Sequence, residues 1–165
     1  MAAKVAVLYY SKGGNTKKLA EHVARGVEKA GGDVVLRSFE DTSVDLLPEC
    51  DGIILGAPTY FGLPASPLQA FVDESIKYMR KLDGKVGGAF TTSARRAGGN
   101  ETTVMAILQM MLVHGMIVQG TTEMDHYGAV AIGEPDALAA EQGEHLGMRV
   151  TKLAATLKAS SQGAA

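Results

Sequence analysis

Apolar and polar positions along this chain switch repeatedly between a strand period and a helix period. Residues 5–10, VAVLYY, are apolar and rich in strand formers. Thr16, Leu19, Ala20, Val23 and Val27 then recur at helical spacing, with Lys17, Lys18, Glu21, Arg25 and Glu28 on the opposite side. The pair Gly31-Gly32 stops that helix, and residues 33–39, DVVLRSF, return to a strand pattern. A loop with room for a short helix leads to Asp51. Residues 52–58, GIILGAP, are apolar throughout, as a strand covered on both faces requires.

The next helix is marked by its start. Ser66 is placed as N-cap, Pro67 at the first helical position, and Gln69 completes a capping box. Leu68, Phe71, Val72, Ser75, Ile76 and Met79 make its apolar face. Residues 85–93, KVGGAFTTS, predict a fourth strand whose glycines imply close backbone packing. Asn100 is positioned to cap a helix that runs to His114 and is stopped by Gly115. Residues 116–120, MIVQG, predict a short fifth strand. Pro135 opens a last helix reaching to about Ala159, beyond which residues 159–165 are expected to fray.

Strands alternating with helices at this spacing imply right-handed crossovers and a parallel sheet. The expectation is an α/β three-layer sandwich, a five-stranded parallel sheet with helices on both faces, in the order 2-1-3-4-5 common at this size. One domain over residues 1–165 accounts for the whole sequence. Two helices carry a further signal. In the helix after Asn100, Val104, Ile107, Leu108 and Met111 form one apolar face and Met105, Leu112 and Val113 extend around another. A surface helix apolar on more than one side predicts a subunit interface, where Met105, Met110, Met111 and Met116 would pack adaptably. In the last helix Gly143 and Gly147, with Ala140 and Val150, predict a close backbone approach.

Composition narrows the function classes. The net charge is −2 with no basic run, which gives no electrostatic case for nucleic acid. No apolar stretch approaches the roughly 20 residues that span a bilayer, and no basic n-region precedes the first strand. Cys50 is the only cysteine, so neither an internal disulfide nor a C-x-x-C metal or cluster site is available. The expectation is a cytoplasmic protein with no membrane or nucleic-acid partner and no bound metal.

In a fold of this kind ligands bind beyond the carboxyl ends of the strands. Residues 11–16, SKGGNT, open directly into a helix N-terminus, whose first N–H groups lack internal partners. Gly13 and Gly14 let the backbone curl, and the Ser11 and Thr16 hydroxyls add donors, which suits a phosphate. The competing reading is a bare helix cap at Asn15 or Thr16. The loop is neither G-x-x-x-x-G-K-[ST] nor G-x-G-x-x-G. Residues 57–67, APTYFGLPASP, put Tyr60 and Phe61 just past a buried strand, where aromatics either flank a flat ring or plug the core. Residues 91–101, TTSARRAGGNE, offer hydroxyls and glycines to the edge of a heterocycle. Arg95 and Arg96 there either form a solvated turn, stabilise an anionic ring, or dock the phosphate of a second substrate. A phosphate nest, an aromatic loop and a polar glycine-rich loop at one end of one sheet describe a mononucleotide with a large flat ring, FMN.

On VLYYSKGGNTKKLAE, DGIILGAPTYFG, PLQAFVD, GGNETT, HGM and YGAVAIG, the chain resembles the flavodoxin-like superfamily. It is most similar to the Trp-repressor-binding-protein type of NAD(P)H:quinone oxidoreductase and to NADPH-dependent FMN reductases. The resemblance covers nearly the whole chain. It implies an FMN-dependent enzyme that passes electrons from NAD(P)H to a quinone or flavin-type acceptor, with a flavodoxin-like electron carrier as the alternative. It implies that Ser11, Lys12, Gly13, Gly14, Asn15 and Thr16 hold the FMN phosphate. Pro58, Thr59, Tyr60, Phe61 and Gly62 would hold the ring, with Thr91, Thr92, Ser93, Ala94, Arg95, Gly98 and Gly99. Tyr127 would lie nearby, and His114 of HGM would line the substrate pocket beside the flavin. A homodimer or homotetramer is implied. The sequence departs from the family at Lys12, where a tyrosine is usual, at Arg95 and Arg96, and in having no tryptophan.

Overall fold

A computed structural model describes residues 2–163 of the chain. The sheet is built on five parallel strands: β1 (Lys4–Tyr9), β2 (Asp33–Ser38), β3 (Gly52–Tyr60), β5 (Val86–Ser93) and an edge strand made in two pieces, β6 (Ile117–Val118) and β7 (Ala129–Ile132). A short β4 (Leu63–Pro64) pairs antiparallel with the end of β3. The order β2-β1-β3-β5-β6 is the expected arrangement, apart from the division of its last strand. Ile117 and Val118 pair with Val86 and Gly87, whereas Ala129 through Ile132 pair with Phe90 through Ser93. The sequence reading placed the fifth strand at residues 116–120 and missed β7.

Four helices complete the layers: α1 (Asn15–Lys29), α2 (Ser66–Glu74), α3 (Asn100–Val113) and α4 (Ala137–Gly163). Helices α1 and α4 cover one face, with Val5, Val7, Leu19, Val23, Ile54, Phe90 and Val150 buried between. Helices α2 and α3 cover the other, over Leu8, Ile53, Leu55, Leu68, Phe71, Ile107 and Met111. The α1 residues expected to face inward, Thr16, Leu19, Ala20, Val23 and Val27, are all buried. The close approach expected in α4 falls between α4 and α1: a Cβ on Gly147 would lie 2.1 Å from the Val23 carbonyl oxygen.

Several helix ends differ from expectation. The N-cap of α2 is Ala65 without a side-chain hydrogen bond, and the Gln69 amide donates to Asp73 one turn on, at 2.8 Å, instead of closing a capping box. The helix also ends at Glu74 in a 3-10 turn over Ser75–Tyr78, which rotates Ile76 and Met79 outward to 61% and 39% exposure. Asn100 is the first residue of α3 rather than its cap. The cap of α4 is Asp136, whose Oδ1 accepts from the Ala139 N–H at 2.8 Å, and Pro135 lies outside the helix. Helix α4 continues through residues 159–163, and Ala164 and Ala165 lie outside the described residues. On α3, Met105, Leu112 and Val113 are exposed, but Met111 and Met116 are core residues, so the methionines do not form one surface. No described helix is long and apolar enough to cross a membrane.

Candidate functional site

The carboxyl ends of β1, β3 and β5 and the turn after β7 enclose a cavity of about 270 Å³. Its wall holds Ser11, Lys12, Gly13, Asn15 and Thr16 from the first loop, Pro58, Thr59 and Tyr60 from the second, and Thr92, Ser93 and Ala94 from the third, together with Gly133. The three loops singled out in the sequence therefore meet at one place.

The first loop is a turn, not a bare cap. Gly14 is the N-cap of α1 at φ 91°, in the left-handed region, and no side chain caps the helix from that position. Glycine alone enters that region without penalty. The cap is supplied from upstream: Ser11 Oγ accepts from the N–H groups of Gly14 and Lys17, each at 3.1 Å. That interaction uses two of the free donors and fixes the loop. The N–H groups of Gly13, Asn15 and Thr16 have no hydrogen-bond acceptor among the described residues, and the positive end of the helix dipole adds to them.

Two hydroxyls deepen the cradle. Thr16 Oγ1 lies 2.7 Å from Thr92 Oγ1, and both residues are buried. Each hydroxyl carries one proton, and a single bond joins them, so the second proton is free for a ligand in the cavity. Below them Thr91 Oγ1 donates to the Ala57 carbonyl at 2.7 Å and sits 3.0 Å from Thr59 Oγ1, tying β5 to β3. Asn100 Nδ2 donates to Ser93 Oγ at 2.8 Å, and Ser93 Oγ donates to the Arg95 carbonyl at 2.9 Å. These bonds hold the third loop to its strand. Lys12 is the single charged residue in the cavity wall, and no carboxylate, imidazole or thiol is there. Among the described residues no cluster of side chains is arranged to hold a metal ion.

Some expected site residues stand apart from the cavity. Residues 61–62 form the tip of the β3–β4 hairpin, with Phe61 at φ 53° and Gly62 at φ 78°. This is the mirror-image turn favoured in two-residue hairpins. Phe61 is fully exposed and neither flanks the cavity nor plugs the core. Gly62 instead meets Gly99, the left-handed N-cap of α3 at φ 96°, where a Cβ would lie 2.4 Å from the Gly62 Cα. Thr91 works from beneath, and Arg95, Arg96 and Gly98 are exposed on the rim. Tyr127 lines an adjoining cavity of about 460 Å³ with Arg96, Asn100 and Gly128.

Within the chain His114 stands apart from the cavity. It lies at the far end of α3, whose 14 residues separate it by about 21 Å from the site. It is buried against Leu47, Phe71, Leu82 and Met111, and its Nε2 is 2.8 Å from Ser75 Oγ. Burial lowers its pKa below that of an ordinary histidine. Within the chain it cannot touch a ligand in the cavity. Gly133 is the wall residue that the sequence reading missed. Its signal was AVAI between Gly128 and Gly133, a short alternating run bounded by glycines.

The comparisons with known proteins agree with this architecture. The flavodoxin family model matches residues 7–107, most of the chain. An NAD(P)H dehydrogenase (quinone) of Sinorhizobium fredii is 39% identical over 72% of this chain and 70% of its own length. One from Archaeoglobus fulgidus is 31% identical over 94% of this chain and 99% of its own. A flavodoxin of Aquifex aeolicus is 37% identical over 80% of this chain and 76% of its own. Among solved structures, a WrbA-like flavodoxin from Agrobacterium tumefaciens superposes with a TM-score of 0.81, at 28% identity, over 94% of this chain and 99% of that one. With the strand order, the loop-to-helix turn at Gly14 and these matches together, the chain belongs to the flavodoxin family.

Proposed function

We propose that the chain is an FMN-dependent oxidoreductase that passes electrons from NAD(P)H to a quinone or flavin-type acceptor. The observation that carries this reading is the wall of the cavity. It offers free backbone N–H groups, a spare hydroxyl proton, one lysine and no acid. That donor set fits a phosphate dianion and repels nothing about it. The same wall has no carboxylate, imidazole or thiol to activate its hydroxyls, which supports chemistry that belongs to a bound group. Bound FMN supplies two-electron redox chemistry at its ring. The chain's residues bind and orient it: the 11–16 loop holds the phosphate, with Thr16 and Thr92 beneath it. The volume of about 270 Å³ lies just below the usual range of about 300–1,000 Å³ for ligand pockets. A whole mononucleotide therefore extends onto the rim, where Tyr60 and Ala94 are exposed. Arg95 and Arg96, also on the rim, offer guanidinium groups to the phosphate of a nicotinamide nucleotide. The relatives named as NAD(P)H dehydrogenases support the enzyme reading.

A second reading, an electron carrier without its own NAD(P)H activity, is favoured by the relatives named flavodoxin. A carrier that steers to basic partners benefits from a strongly acidic surface, and the net charge here is −2. Stopped-flow mixing separates the two. FMN-loaded protein mixed with NADH or NADPH alone should lose its flavin absorbance near 450 nm, on the order of one equivalent, within seconds. If neither nucleotide bleaches the flavin, the carrier reading replaces the enzyme reading. A protein that fails to take up FMN at all removes both.

A further inference from the structure

Between α4 and residues 119–127 lies a cavity of about 830 Å³ that shares no wall residue with the 11–16 cavity, and shares His126 and Tyr127 with the adjoining one. Its wall carries His126 and Tyr127 from the loop, and His145, Met148, Arg149 and Lys152 from α4. Arg149 is the unusual member. Its Nε and Nη1 are closed off from solvent and have no hydrogen-bond partner. The acids along this face are engaged elsewhere: Glu144 pairs with Lys29 and Arg25, and Asp51 pairs with Lys158. Among the described residues no carboxylate pairs with Arg149. Burial lowers its pKa with no acid nearby to offset that effect, yet a guanidinium remains charged throughout the physiological range. A partly buried cation whose donors are unmatched is expensive, and Nη2, which is not closed off in this way, is the donor through which an anion in the cavity offsets that expense.

We propose that this cavity binds a small organic anion. Its phosphate or carboxylate headgroup pairs with Arg149 and Lys152, and its apolar body lies against Met148 and Tyr127. Arg149 and Lys152 are three apart on one helix and so share a face. The guanidinium presents its charge and its Nη2 donors, which suit either headgroup, and the exposed Lys152 adds a mobile point charge. The volume falls inside the range of small-molecule pockets, about 300–1,000 Å³. Glu123, on the loop, is the one carboxylate of the wall.

The test is a set of amide NMR titrations of the full chain with FMN present in excess, so that the 11–16 loop is occupied if it binds FMN. The probes are phenyl phosphate, benzoate and the neutral benzyl alcohol. Saturable shifts at residues 119–128 and 145–156 with at least one of the two anions, and none with the alcohol, are expected. Which anion binds more tightly identifies the headgroup. Arg149→Met should bind at least tenfold more weakly and, having lost an unpaired charge, should melt no lower than the parent. Lys152→Ala, an exposed change, should bind at least threefold more weakly and decides the matter should Arg149→Met fail to fold. Shifts confined to residues 11–16, equal response to the alcohol, or unchanged affinity in the variants would overturn the proposal. Because the two sites report through different amides, failure of FMN binding and failure of this site are read separately.

Discussion

Thr16→Val is the substitution that tests the phosphate cradle most directly. It replaces the hydroxyl by a methyl of nearly equal volume at a residue only 2% exposed, so shape is conserved. The bond of 2.7 Å to Thr92 is lost. In the ligand-free protein this leaves the Thr92 hydroxyl, itself 4% exposed, without that partner, at a cost of about 1–3 kcal/mol. A domain stable by about 5–15 kcal/mol remains folded. With FMN bound the loss is of a different kind. The pair no longer presents both a shared bond and a spare proton, and one charge-assisted bond to the phosphate, about 1.5–3 kcal/mol, disappears. At about 1.4 kcal/mol per decade, FMN should bind roughly 10- to 150-fold more weakly. Fluorescence titration of apoprotein with FMN measures this, and riboflavin, which lacks the phosphate, is the control. Riboflavin affinity should change by less than about threefold, the equivalent of some 0.6 kcal/mol. Equal losses for both ligands would mean that the substitution had disturbed the ring pocket. An unchanged FMN affinity would refute the cradle itself.

Three further substitutions test the packing. Gly147→Ala puts a methyl 2.1 Å from the Val23 carbonyl, where backbone cannot yield cheaply, so urea unfolding should show a loss of about 3 kcal/mol or more. Phe61→Asn should stabilise the apoprotein by about 1 kcal/mol in the same assay, because Phe61 is fully exposed and holds φ 53° without packing in return. His114→Gln should leave the Kd for FMN within about twofold, under some 0.4 kcal/mol, because the residue lies at the opposite end of α3. The burial of His114 also lowers its folded pKa, so its contribution is complete above the unfolded value of about 6.5 and is lost as pH falls through the folded value; the variant should lose less stability between neutral pH and pH 5 than the parent.

What the sequence made legible was whatever depends on local pattern. The inward face of α1 could be read because five apolar or small positions recur at one spacing, and the three loops could be read because each follows an apolar run. Gly143 and Gly147 announced a close approach, although only the fold shows that α1 is the partner. The failures are tertiary. Residues 66–69 satisfy a capping pattern, but Gln69 finds Asp73 instead. Asn100 has the residue type of a cap, yet a left-handed Gly99 fits the contact with Gly62, which leaves Asn100 to bond Ser93. His114 was carried to the flavin pocket by resemblance alone. Nothing local could reveal that the helix beginning at the site carries its last residues some 21 Å away. Phe61 fits an aromatic that flanks a ring until the hairpin turn is seen to point it into solvent.

The undetected strand β7 explains how one sheet edge serves two purposes. A continuous fifth strand would pair along all of β5 and leave no material for a wall. Here β6 pairs only with Val86 and Gly87, and the chain then leaves the edge for residues 119–128 before returning as β7. The return needs Gly128, since a Cβ there would lie 2.1 Å from the Ala89 carbonyl oxygen. It is sealed by the bond of 2.7 Å from the Gly133 N–H to the Ser93 carbonyl, which places Gly133 in the wall of the candidate FMN cavity. The excursion meanwhile lines the two larger cavities, including the one that Arg149 also lines. Pairing at the two ends of the edge decouples most of the loop from the site: β7 fixes the upper wall whatever residues 119–124 contain, whereas Asp125, whose Oδ2 accepts from the Val130 N–H at 2.9 Å, is tied to β7. Changes in that loop should therefore alter what binds along α4 while leaving the 11–16 cradle intact. Gly128→Ala, which disturbs the return itself, should disturb both.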